Sequence, residues 1–313
     1  MRKVYLIFLF LFLFLNYSQI NAGEQSIVLK YKVNDDLITS YDITKEAKYL
    51  AALSPELQGI DQAQLIDLAK KSLIKEKIKK HELEKYYEVN YESTLADSYI
   101  ENFKKRLGFK NDSIFNSYLI NYETNINEIK IKLIIELTWN KMIVDIYQDR
   151  ILIDTKKISE TLEKSITEKK IQKSFKLNEI VFSEKNNEDF LKKYEKIVID
   201  IENLGFEKAA AIHSISSTAN SGGNIGWVSQ NQLSEKINNE ITNLDLGNYT
   251  KPINSAGGSI ILQLKNIKDI SVEDIDRELE LSKIINAEKN RQLNEFSIIH
   301  FKKIENKSYV KNF

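Results

Sequence analysis

Cysteine is absent from this 313-residue chain, which removes disulfides, thiol catalysis and cysteine-ligated zinc together. The lipid-acceptor cysteine that a bacterial lipoprotein needs at its processing site is missing with it. Histidine is scarce: His81, His213 and His300 stand far apart and show no i, i+4 pairing, so no helical metal motif is present. Neither a GxxxxGK[ST] phosphate cradle nor a GxSxG nucleophile elbow occurs. ATP-independent action without a cofactor is the expectation that follows. Charge of one sign is lacking too, because 45 basic side chains face 45 acidic ones. That balance disfavours nucleic acid or another polyanion as a partner. What remains is a globular composition, 42% apolar and 29% charged, in a chain long enough for two domains.

Long apolar runs are missing except at the start. Arg2 and Lys3 precede an apolar run over residues 4–15, and a polar stretch then ends at Ile20-Asn21-Ala22. This is the order of a charged n-region, an h-region and a small-residue cleavage site, so a signal peptide over 1–22 is expected, cut after Ala22. A membrane tether is the alternative, but a span needs roughly 20 apolar residues. Export without disulfides suits a periplasm. No stable membrane anchor is expected in the mature chain.

Alternation of Ile27, Leu29, Tyr31 and Val33 with Val28, Lys30 and Lys32 predicts a strand. Thr39 stands three residues before Asp42, a variant of the helix capping box. From there to about residue 150 the period is helical. Leu65, Ala69 and Leu73 mark one helix; Ile126, Ile129, Leu133 and Leu137, with Trp139 and Met142 on an adjoining face, mark a longer and more central one. The charged segment 154–170 predicts a connecting helix with a solvated face.

Beyond residue 200 the composition shifts, with seven of the ten glycines falling in 205–258. A strand over 175–182, helices over 188–201 and 206–213, a Ser- and Gly-rich turn, and a closing strand with Ile260, Leu262 and Leu264 predict a compact α+β module. Ser271 and Asp274 predict a cap opening a further helix, and 296–304 predicts a final strand. Trp227, next to a glycine turn, is expected in the core, with the lining of a peptide groove as the alternative, and His213 is expected to serve packing or the surface. Ser216, Ser217 and Thr218 have no base near them in sequence.

The run Ser221-Gly222-Gly223-Asn224-Ile225-Gly226-Trp227 is not a dinucleotide fingerprint, since no strand leads directly into it and no suitable helix follows. It resembles the GG-x-x-GW turn of parvulin-type peptidyl-prolyl isomerases. The likeness extends to Leu177-Asn178-Glu179-Ile180-Val181-Phe182, to Phe206-Glu207-Lys208-Ala209-Ala210-Ala211, to Leu246-Gly247-Asn248-Tyr249 and to Gly258-Ser259-Ile260-Ile261-Leu262. The first strand with Val33-Asn34, Leu37-Ile38-Thr39 and Asp42, and the helices that follow, resemble the N-terminal domain of the SurA chaperones. This resemblance implies an α+β chain in four parts: a signal (1–22), a helical SurA-like domain (23–171), one parvulin-like domain with a small antiparallel sheet (172–268), and a C-terminal helix and strand (269–313) packing back on the first domain. It also implies a periplasmic, ATP-independent chaperone whose partners are unfolded outer-membrane proteins or other exported polypeptides.

In that family two histidines with a cysteine or aspartate surround the twisting amide over an apolar floor. The positions matching the histidines here are Glu179 and Ile260. Ser216 falls at the Cys/Asp position, Ile237 at the phenylalanine position, and Leu233 alone keeps the Met/Leu type. The resemblance therefore implies a degenerate pocket of Glu179, Ser216, Leu233, Ile237 and Ile260 beside the Gly222, Gly223, Gly226, Trp227 turn. Isomerase activity is expected to be weak or absent, with an active foldase as the alternative.

Overall fold

The computed structural model describes residues 27–87, 89, 94–167, 172–184, 186–270 and 276–313. The expected signal peptide with its cut after Ala22, and the expected cap at Ser271 and Asp274, lie outside these residues.

The chain opens with β1 (Leu29–Val33) and β2 (Asp36–Thr39), antiparallel across a turn in which Asn34 takes a left-handed φ of 52°, a conformation asparagine tolerates. Thr39 closes the predicted box. Its Oγ1 accepts from the Asp42 N–H at 3.2 Å while Asp42 Oδ2 accepts from the Thr39 N–H at 2.8 Å, so two orphan donors at the start of α1 (Ser40–Leu53) are satisfied. The helices α2 (Gln62–Leu83), α4 (Asp112–Asn121) and α5 (Ile126–Tyr147) begin on the side chains of Asp61, Asn111 and Asn125. Between α2 and α4 lies α3 (Thr94–Arg106).

Helix α5 is the spine of this part. Its Ile135, Trp139, Met142 and Ile143 join one cluster with side chains of α1 and α2, while Ile129 joins another with Ile100, Phe115 and Leu119. Tyr49 packs against both clusters, and charge is buried where they meet. Lys132 lies over the Tyr49 ring, 2.9 Å from Glu46 and in contact with Glu76. Glu46 also accepts from the Ser72 hydroxyl at 2.6 Å.

After α6 (Thr155–Thr167) the module begins with β3 (Gln172–Phe182), then α7 (Asn187–Leu204), α8 (Phe206–His213), β4 (Asn224–Ser229), α9 (Glu235–Thr242), β5 (Ile253–Ser255) and β6 (Gly258–Ile270). Its sheet runs β4-β3-β6-β5, antiparallel throughout. Ile180, Phe182 and Ile261 meet α7 and α8 on one face; Phe175, Leu177, Leu262 and Leu264 meet Ile241 of α9 on the other. Strand alternation thus fills two cores from one sheet.

The last helix, α10 (Arg277–Glu305), starts on Asp276. Residues 296–304, expected as a strand, are its final turns. Leu293, Phe296, His300 and Ile304 recur every three or four residues, and that face packs on the helical core; the β-favouring pair Ile298-Ile299 yields to this burial. The Trp139 Nε1–H donates to Ser297 Oγ at 2.8 Å, and Tyr147 stacks on Phe296. The strand comes later, as β7 (Val310–Asn312), and it pairs with β1 to give a sheet of order β2-β1-β7. The fold is α+β, with ten helices and two small antiparallel sheets among the described residues. None of those helices is long and apolar enough to cross a membrane.

Candidate functional site

Register on the module's sheet assembles the site. Glu179 is opposite Leu262 on β6, and Val181, two residues on, is opposite Ile260. Residues two apart on a strand, and their cross-strand partners, share a face, so Glu179 and Ile260 look out on the α9 side. There Ile260 packs with Leu233 and Ile237 against Phe175, Leu177, Ile241 and Leu262. Leu233 and Ile237 reach this place because Ser234 caps α9 between them, accepting from the Ile237 N–H.

The polar pair meets directly. Glu179 Oε1 accepts from Ser216 Oγ at 2.6 Å and from Thr218 Oγ1 at 2.8 Å. Ser216 lies buried just beyond the end of α8, where Ser214 Oγ accepts from the Val181 N–H and ties that helix end to β3. The structure therefore brings Glu179 to Ser216 and gathers Leu233, Ile237 and Ile260 into one apolar floor. Sequence reasoning missed Thr218 as a partner of the carboxylate, and it missed that an acceptor stands beside these hydroxyls at all. Glu179 is 39 residues away from Thr218, and only strand register reveals the neighbourhood.

The glycine turn stands against the backbone of the same residue. Glu179 donates its N–H to the Gly223 carbonyl at 2.7 Å, and Gly223, at φ 75°, lies so close to β3 that a Cβ would come within 2.1 Å of the Glu179 carbonyl oxygen. Gly222 closes the preceding 3-10 turn in the left-handed region. Gly226 begins the straight part of β4 with its N–H on Asn224 Oδ1. Trp227 is not core. It is 42% exposed on an edge strand, under the Lys268 ammonium at 4.5 Å, because Ile225 and Val228 of the same strand take the inward places.

Rotation about a prolyl amide faces a barrier of about 18–20 kcal/mol, and lowering it requires groups that favour the twisted amide over the planar one. Here both hydroxyls are committed to one carboxylate and no imidazole joins them. The apolar floor can still seat a side chain, and the carboxylate can accept an N–H from a peptide backbone. Among the described residues no group of three or more His, Cys, Asp or Glu side chains is placed to hold a metal ion.

The module's own histidine is engaged elsewhere. His213 is buried; its Nε2 is 2.6 Å from Asp200 Oδ2 and its Nδ1 is 3.1 Å from Lys193 Nζ. A neutral ring fits both contacts, donating to Asp200 and accepting from Lys193. Burial first, and then the Lys193 charge, push its pKa down to about 4 from an ordinary 6.5. Between those values the unfolded chain binds a proton that the folded chain does not. The stabilisation is complete above pH 6.5 and is lost as pH falls towards 4, on the order of 3 kcal/mol in all. Urea midpoints measured at pH 7 and pH 4.5 should therefore diverge, and His213→Asn should shrink the difference; an unchanged pH slope in the variant would remove this residue as the cause.

Residues 151–266 match the family model described as Rotamase, PPIC-type PPIASE domain. No curated protein matches the chain. Among solved structures, a PpiC-type peptidyl-prolyl cis-trans isomerase domain is 27% identical over 31% of this chain and 93% of its own, with a TM-score of 0.29. A SurA-like chaperone from Campylobacter jejuni is 15% identical over 91% of this chain and 99% of its own, with a TM-score of 0.37. The peptidylprolyl isomerase PrsA from Bacillus anthracis is 19% identical over 75% and 95%, with a TM-score of 0.31. The family match starts at 151 and so takes in α6, which the sequence reading placed with the helical part. Through residues 151–266, with the Gly222–Trp227 turn and the Glu179 strand inside them, the chain carries a rotamase domain of the PPIC type.

Proposed function

We propose that this protein is an exported, ATP-independent chaperone that holds unfolded polypeptides, outer-membrane barrel proteins foremost, and that its rotamase module binds peptide more than it isomerises it. The observation that carries the reading is the pairing of a rotamase domain with a site where hydroxyls and a carboxylate satisfy one another above an intact apolar floor. A holdase needs weak, broad apolar contact. Leu95 and Tyr99 of α3, one turn apart, and Ile114 and Ile120 of α4 are exposed, which supplies such contact on the helical part. Barrel strands alternate apolar and polar residues and have no core before insertion, so they suit a surface of this kind.

The test is dilution of a urea-unfolded outer-membrane barrel into buffer with and without the chain from residue 23. Light scattering should fall several-fold at equimolar protein, and replacing Leu95, Tyr99, Ile114 and Ile120 with serine should return most of it. No suppression by the intact protein would retire the reading. A second reading, an active foldase, is favoured by the preserved glycine turn and by the Glu179, Ser216 and Thr218 cluster. A protease-coupled assay on a proline tetrapeptide decides it: cis-to-trans rates at the spontaneous value exclude it, and a rate that vanishes with Glu179→Ala establishes it.

A further inference from the structure

The turn that carries the module's glycines faces two ways. Inward it touches the candidate site, through the Glu179 N–H on the Gly223 carbonyl and through Thr218, whose own carbonyl accepts from the N–H groups of Ser221 and Gly223. Outward it rests on the helical part. Ser54 Oγ donates to the Asn220 carbonyl at 3.0 Å, and Arg106 Nη1 donates to Ser221 Oγ at 2.7 Å. Ser54, at the end of α1, is buried. Arg106 is the last residue of α3, and its guanidinium is stacked over Phe103. Nearby, Ala211 of α8 packs into the helical core cluster that holds Leu57. Residues 216–223 are thus a tight knot of backbone bonds with one end on each part of the chain.

From this geometry we infer that Ser54 and Arg106 are positioning residues: they hold the turn and, through it, the Glu179, Ser216 and Thr218 cluster, so the helical part and the module's site are energetically coupled. The donors belong to the ends of two helices, α1 and α3. A ligand that shifts either end moves the turn, and by linkage a peptide on the module changes affinity on the helical part by the same factor. The inference concerns the turn itself and stands whether or not the protein is a chaperone.

Amide hydrogen exchange on the full chain tests it. In Ser54→Ala with Arg106→Ala, peptides covering 216–223 should exchange at least tenfold faster, with those of α7 unchanged. Ser54→Thr with Arg106 intact should restore the native rate, as one hydroxyl replaces the other. Unchanged exchange at 216–223, or equal acceleration across α7 and the turn, overturns the inference. Arg106→Ala alone, which removes an exposed side chain, gives the same two outcomes if the buried Ser54→Ala change unfolds the protein.

Discussion

Gly223→Ala should cost the rotamase module roughly 3–5 kcal/mol, a large share of the roughly 5–15 kcal/mol that holds an ordinary domain folded. Two penalties add. The residue's φ of 75° belongs to the left-handed region, and the new Cβ would lie 2.1 Å from the Glu179 carbonyl oxygen. That oxygen is backbone in the middle of a paired strand, so no side chain can swing aside; β3 itself has to move, along with the Glu179 N–H bond to Gly223. Gly226→Ala is the control. Its φ of 78° is similar but open space surrounds it, so only the conformational cost of about 1–2 kcal/mol applies. Urea unfolding followed through Trp227, in a Trp139→Phe background, should show both midpoints falling with the slope unchanged. Equal losses in the two variants would show that the close approach to β3 contributes nothing.

Trp139→Ala is the second large effect, about 3–5 kcal/mol for a fully buried indole. The ring has Lys79 above it at 5.1 Å and both His300 and Phe301 of α10 at its edges. Removing it opens a cavity beneath a lysine that also pairs with Glu136. Trp139→Phe keeps most of the ring and loses mainly the indole N–H bond to Ser297, about 1 kcal/mol. Because these contacts join α5 to α10, the alanine variant should expose α10 to protease well before the module's sheet is cut. Identical cleavage of α10 in the two variants would mean that this helix is held by something else.

Much of this architecture can be read from local chemistry. The Thr39–Asp42 box and the alternation of Ile260, Leu262 and Leu264 are short-range signals, and each appears where its residues place it. The end of helix α10 reads locally as strand because Ile298 and Ile299 favour strands, while the three- and four-residue spacing of Leu293, Phe296, His300 and Ile304 answers to a partner surface more than a hundred residues earlier. The site was half legible. Its apolar members follow from a motif, but the bonding of Ser216 and Thr218 to Glu179 depends on how β3 registers with β6 and on where α8 ends. Trp227 depended on which strand forms the sheet's edge, and the buried charges around Lys132 on three helices meeting. No local pattern encodes such long-range facts.

The pairing of β7 with β1 sets an order of events for a newly made chain. Strand β1 waits for a neighbour that lies about 280 residues downstream, and the Trp139 pocket waits for Ser297 and Phe301. All strands of the rotamase sheet, by contrast, fall between residues 172 and 270. The module can close while the chain is still being made, whereas the helical part stays unfinished until β7 is available. Its long-range contacts make that step slow, so the part of the protein made first is among the last to be finished.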